Sequence, residues 1–158
     1  MKKILSLIVL LVAFSSCEED VQFNNPTVQG LKDDALWRAV SFSATQQVSN
    51  GALTVVASNG FETLTLRAQS AIPGTYSLGV NENNKASFVF SSPEINSAFQ
   101  TGAGVGDGQL IISANPVETN VMAGYITGNF KFNAVAGDGQ VLNFKDGVFF
   151  KVPITMIP

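Results

Sequence analysis

Through most of this chain, apolar and polar residues alternate at a spacing of two. Leu64, Leu66 and Ala68 alternate with Thr63, Thr65 and Arg67. Phe130, Phe132 and Ala134 alternate with Asn129, Lys131 and Asn133. The same rhythm runs through Val40, Phe42 and Ala44, through Ala86, Phe88 and Phe90, and through Leu110, Ile112 and Ala114. It returns near the end in Val148, Phe150, Val152 and Ile154. A strand sends successive side chains to opposite faces, so this period marks strands with one buried face. No window carries a sustained helical stripe with caps.

Turn residues fall between these segments. Asn50-Gly51, Asn59-Gly60, Asp107-Gly108, Asp138-Gly139 and Asp146-Gly147 are pairs whose residues accept the positive φ of tight hairpins. The fold expected is all-β, an antiparallel β-sandwich of about nine or ten strands, with a closed antiparallel β-barrel as the alternative. Phe88, Phe90, Phe130, Phe132 and Phe150 are its expected core aromatics. A domain of this size buries enough surface to need no disulfide, and a single cysteine cannot form one internally.

That cysteine, Cys17, follows a basic start (Lys2, Lys3), an eleven-residue apolar run from Ile4 to Phe14, and Ser15-Ser16. As a helix the run would span about 16 Å, half of a hydrocarbon core of about 30 Å. This is the layout of a secretory signal peptide. "FSSC" resembles the lipobox of bacterial lipoproteins, with Phe14 where Leu is usual and Ser16 where Gly or Ala is usual. The resemblance implies lipidation at Cys17, which would anchor the protein to the outer membrane without spanning it. Glu18, Glu19 and Asp20 resemble the acidic export signal of Bacteroidota surface lipoproteins, and surface exposure is the expectation. The expected organisation is therefore a signal peptide over 1–16, a polar tether over 17–35 and one β domain over 36–158.

Removal of Lys2 and Lys3 would leave seven basic against twelve acidic side chains. An acidic protein is a poor partner for nucleic acid, where affinity rests on cations neutralising phosphates. The chain has no histidine, which removes histidine-based triads and the commonest transition-metal ligand. "TGAGVGDG", Thr101 to Gly108, is glycine-rich but leads into a strand, not the helix N-terminus that a phosphate loop needs. "GDGQ" at Gly106 and again at Gly137 reads as one hairpin turn used twice, and "NENNK", Asn81 to Lys85, as a solvated turn. Glu62, Glu82, Glu118, Asp107, Asp138 and Asp146 fall at turns or strand ends with no pairing evident for acid–base work. No enzyme, cofactor or metal site is expected.

What remains is binding. Trp37, Tyr125 and Phe149 fall on the face that is elsewhere polar, and are the candidate ligand contacts. Such rings can stack on a glycan or dock an envelope protein, or they can lie under a second sheet. A purely structural or accessory lipoprotein without a small ligand is the alternative function.

Trp37, "PGTYSLG" (Pro73 to Gly79), "GYITGNFKFNA" (Gly124 to Ala134) and "DGVFFKVPI" (Asp146 to Ile154) together resemble a group of uncharacterised Bacteroidota lipoproteins defined by domains of unknown function. The resemblance implies a β domain at the envelope and carries over no catalytic residue.

Overall fold

A computed structural model describes residues 25–158. Cys17, Glu18, Glu19 and Asp20, with the signal-like segment before them, lie outside the described residues. Among the described residues there are eleven strands and no helix: β1 (Thr27–Lys32), β2 (Ala35–Arg38), β3 (Ser41–Gln47), β4 (Leu53–Ser58), β5 (Glu62–Ala68), β6 (Gly74–Leu78), β7 (Lys85–Ser91), β8 (Asn96–Gln100), β9 (Asp107–Ile112), β10 (Tyr125–Ala136) and β11 (Val141–Ile157).

All eleven belong to one mixed, mostly antiparallel sheet, in the order β2-β1-β11-β3-β4-β5-β7-β8-β10-β9-β6, with β10 also paired to β11. The seventeen-residue β11 explains this order. Its first part lies between β1 and β10, and its last residues, Ile154 to Ile157, pair with β3 in parallel. One half of the sheet is thus β2-β1-β11-β10-β9-β6 and the other is β11-β3-β4-β5-β7-β8. The halves face each other: Trp37 on β2 meets Phe88 on β7 edge-on, ring centroids 6.0 Å apart. On the far side only two residue pairs, Val135 with Gln100 and Ala136 with Phe99, join β10 to β8.

The alternation is borne out over β5, β9 and β10, where Leu64, Leu66, Ala68, Leu110, Ile112, Phe130, Phe132 and Ala134 are all buried. Ala114 falls past the end of β9 and is exposed, and other expectations also need correction. Val40 lies outside β3 and is 78% exposed. Phe90 is only half-buried, near the end of β7. The polar stretch read as a tether to residue 35 stops sooner, because Thr27–Lys32 pairs with β11 as β1. Asp33 and Asp34, at φ 47° and 67°, then turn the chain tightly into β2. Finally, the two "GDGQ" segments differ: Asp107-Gly108 opens β9, whereas Asp138-Gly139 forms the β10–β11 hairpin.

The last strand departs most from a simple pleat. Between its pairings with β10, β11 twice spends two residues against one: Lys145 and Asp146 opposite Lys131, then Phe150 and Lys151 opposite Thr127. These are β-bulges, and Asp146 (φ 50°) and Lys151 (φ 45°) hold left-handed conformations in them. Each bulge exchanges the two faces of the strand. Phe144 points inward, the first bulge turns Phe149 inward in place of Phe150, and the second restores Val152 and Ile154 to the core. Phe150, expected in the core, is therefore half-buried on the outer side.

Inside, rings from one strand lie over glycines on the next. Phe149 is paired with Gly128, and Phe130 with Gly147. A Cβ on Gly128 would collide with the Phe149 ring and with the carbonyl oxygen of Ile111. Overpacking a core costs about 1–3 kcal/mol where neighbours can shift. Here one neighbour is backbone, so Gly128→Ala should fall at the upper end of that range or prevent folding. Gly137→Ala, which meets nothing within 4 Å, should change stability by no more than about 0.5 kcal/mol. Urea denaturation of the two variants checks the contrast.

Candidate ligand-binding groove

The three aromatic residues expected to meet a ligand are not gathered on one face. Trp37 is 3% exposed, because β2 lies over the core and presses its indole edge-on against Phe88 and Phe144. Phe149 is fully buried, turned in by the first bulge. Neither ring offers a face to a ligand. Tyr125, half-buried at the start of β10, lies 5.6 Å from the Lys151 ammonium by its ring centroid.

Trp37 is instead tied to a polar cluster. Its indole N–H donates to Glu62 Oε2 (2.8 Å), which also accepts from Asn59 Nδ2 (2.7 Å). Lys32 completes the group with an ion pair to Glu62 Oε1, its ammonium 5.0 Å from the Phe88 ring centroid. Burial alone would raise the Glu62 pKa. The hydrogen bonds from Lys32 and Asn59, the Lys32 charge and the Trp37 bond outweigh it and hold the carboxyl below its usual range. A depressed folded-state pKa stabilises the fold above the unfolded value, about 4.3 for glutamate, and that stabilisation is lost as pH falls through the folded value. Thermal melts from pH 6 to pH 3 should show the advantage of wild type over Glu62→Gln shrinking toward zero with acidification. A gap that stays constant would remove the ionised carboxylate from the account.

The glycine-rich loop has its amides committed internally. The Ala103 N–H donates to Glu82 Oε1 (2.8 Å), that of Gly102 to the Val105 carbonyl (2.8 Å), and that of Gly104 to the Gly79 carbonyl (2.9 Å). Glu82 also pairs with Lys85 at 2.9 Å. The Ala103 bond first, and Lys85 after it, lower the Glu82 pKa. The carboxylate of "NENNK" thus stands where an anion would have to bind, and that turn is a clamp on the next loop. Among the described residues, no group of three or more His, Cys, Asp or Glu side chains could hold a metal ion.

A concavity of about 780 Å³ lies on the outer face of β6, β9, β10 and β11. Thr75, Ile111, Asn129 and Val148 stand in register across these four strands and form its floor. Phe150 and Lys151 from the second bulge form one side, and the segment from Ser113 to Glu118 forms a wall. Thr127, 5% exposed, fixes both. Its hydroxyl donates to the Glu118 carbonyl (2.6 Å) and accepts the Lys151 N–H (2.9 Å), joining the wall to the bulge. Ser113 Oγ donates to Glu118 Oε2 (2.7 Å) within the wall. Among the described residues lining the groove, Glu118 is the only acid and Lys151 the only cation. Sequence reasoning missed Phe150 as a lining residue, and it missed Lys151, Asn129 and Thr127 altogether. The one signal, at Phe150 and Lys151 only, is a lysine breaking the apolar run "VFFKVP".

The fold and this groove define an all-β module with an externally walled cleft. Residues 24–153 match the family described as a domain of unknown function (DUF6252), and the chain belongs to that family. Searches of the curated proteins and of the solved structures gave no match.

Replacing Thr127 with valine keeps the shape but leaves the Lys151 N–H without its acceptor. A lost hydrogen bond that strands a buried donor costs about 1–3 kcal/mol. Thr127→Val should lose stability in that range. It should also quicken amide exchange at Lys151 and through 113–119 ahead of the core strands, as read by hydrogen-exchange mass spectrometry.

Proposed function

We propose that this protein is a lipid-anchored envelope protein of Bacteroidota type whose β domain is a binding module, with the β6-β9-β10-β11 groove as its binding surface. The groove carries this reading. Its volume falls in the range of small-molecule sites, about 300–1,000 Å³. It combines an aliphatic floor (Ile111, Val148) and an aromatic side (Phe150) with hydroxyl and amide groups (Thr75, Ser113, Asn115, Asn129). Apolar faces interspersed with hydrogen-bonding groups suit a sugar ring better than a lipid chain or a bare ion. A single lining acid does not provide the two carboxylates of ordinary glycoside hydrolysis, so the reading is binding without turnover.

Anchoring follows from Cys17 and the segment before it, and surface delivery from Glu18, Glu19 and Asp20. Mass spectrometry of the mature protein should find a thioether-linked diacylglycerol on Cys17, and Cys17→Ala should leave the precursor uncut or released. Unmodified Cys17 defeats the anchor. Alanine at all three acids should protect the domain from proteinase added to intact cells; unchanged accessibility would reduce the triplet to a solvating segment. For the groove, Thr75→Trp fills the floor from an exposed position on β6. This variant should fold normally and lose the retention on polysaccharide columns expected of wild type. Wild type that is retained on no polysaccharide would favour the accessory lipoprotein without a small ligand.

A further inference from the structure

Resting on that reading of the groove, we propose that it selects glycans bearing a carboxylate, and that the Lys151 ammonium reads that group. The charge pattern supplies the first reason. Lys32, Lys85 and Lys145 each reach a carboxylate, on Glu62, Glu82 and Asp34. Lys151, like Lys131, Arg38 and Arg67, has no carboxylate at ion-pair distance among the described residues; what sets it apart is that it lines the groove, with its ammonium 5.6 Å from the ring centroids of both Tyr125 and Phe150. Two rings hold a cation in place without neutralising it, which leaves it able to accept an anion. The groove's one acid is engaged differently, since a Glu118 oxygen already accepts the Ser113 hydroxyl within the wall.

The backbone supplies the second reason. Lys151 sits at φ 45°, a conformation that glycine or asparagine takes more readily than lysine. The bulge is held there by Thr127, which accepts the Lys151 N–H. Bulges that re-aim a side chain recur beside functional sites. This one delivers a lysine to the lip of a cleft on a protein whose overall charge is negative. Long-range attraction therefore does not favour an acidic ligand, and selectivity has to come from this local charge. A uronate fits the arrangement: its carboxylate on Lys151, its ring against Phe150, its hydroxyls on Asn129, Asn115 and Thr75.

The test is calorimetric titration of the full-length protein in detergent. The probes are oligomers of galacturonate, glucuronate-containing oligosaccharides and mannuronate, each beside its carboxyl-reduced neutral counterpart. At least one acid should bind about tenfold or more tighter than its reduced form, and the preference should weaken as salt rises from 50 to 500 mM. Lys151→Gln should abolish the preference by weakening the acid alone, while Lys151→Arg should retain it. Lys151→Gly removes the backbone strain together with the charge. It should melt no lower than wild type and still lack the preference, which separates charge reading from folding. Equal binding of acid and neutral partners, or a preference that survives Lys151→Gln, overturns the inference and leaves glycan binding standing. Absence of binding to every carbohydrate, acidic or neutral, overturns both.

Discussion

The fold depends on how β11 is packed along its length. This strand is hydrogen-bonded to β1, β10 and β3, so both halves of the sheet hinge on it. Its Phe144 is the centre of the core, with ring centroids of Trp37, Phe88, Phe130 and Phe132 between 5.3 and 5.9 Å away. Aromatic pairs in such tilted or edge-on geometry contribute about 0.5–1.5 kcal/mol each beyond the area they bury. So many rings fit because the strand pairs present glycine opposite phenylalanine: Gly128 under Phe149, Gly147 beside Phe130. Larger residues there would push β10 and β11 apart and take the ladder with them. The Lys32–Glu62 pair then closes one side of this aromatic cluster, with Trp37 donating to the same carboxylate.

How much of this could be read from the residues depends on how local each feature is. Along β5, β9 and β10 the pleat is regular, so alternation alone identified Leu64, Leu66, Leu110, Ile112, Phe130 and Phe132 as buried. Alternation does not carry along β11, because a bulge shifts the parity of everything beyond it. Asp146-Gly147 does announce a positive φ, yet the pair serves a hairpin and a bulge equally well, and Lys151 announces nothing. Strand β1 escaped notice for a different reason: its inward positions are Val28 and Gly30, too little apolar text to stand out from a polar arm. Its strand character comes from pairing with Val148 to Phe150, more than a hundred residues away.

The groove was less legible still. Of the aromatic residues picked out, only Tyr125 is near it, through Lys151, while Trp37 and Phe149 turned out to be core. Its floor is a single cross-strand row assembled from Thr75, Ile111, Asn129 and Val148, and no sequence window holds more than one of them. Cross-strand register, the property that makes the site, is fixed only after the strands pair. The glycine-rich loop shows the opposite case, a local motif whose chemistry is cancelled from a distance. Glu82 occupies the Ala103 amide that an anion would need, so the loop's composition reflects close approach to the protein's own carboxylate.

The two proposed features, anchor and groove, meet on the same strand. β1 begins with Thr27 opposite Phe150, on the edge of β11 away from β10, so the chain leading back to Cys17 departs about one strand spacing from the groove's aromatic side. The ten residue-to-residue steps from Cys17 to Thr27 can span at most about 33–36 Å even when fully extended. A lipid on Cys17 would therefore keep Thr27 within that distance of the bilayer, with the groove's aromatic side about 5 Å further along the sheet. Such a module is badly placed to capture long soluble polymers far from the cell. Under the proposed anchor it would instead be placed for carbohydrate close to the same membrane. The acidic triplet lies within this stretch of sequence, immediately after the cysteine proposed to carry the lipid. If the proposed signal and groove both hold, alanine at Glu18, Glu19 and Asp20 should alter delivery while leaving the residues that line the groove unchanged.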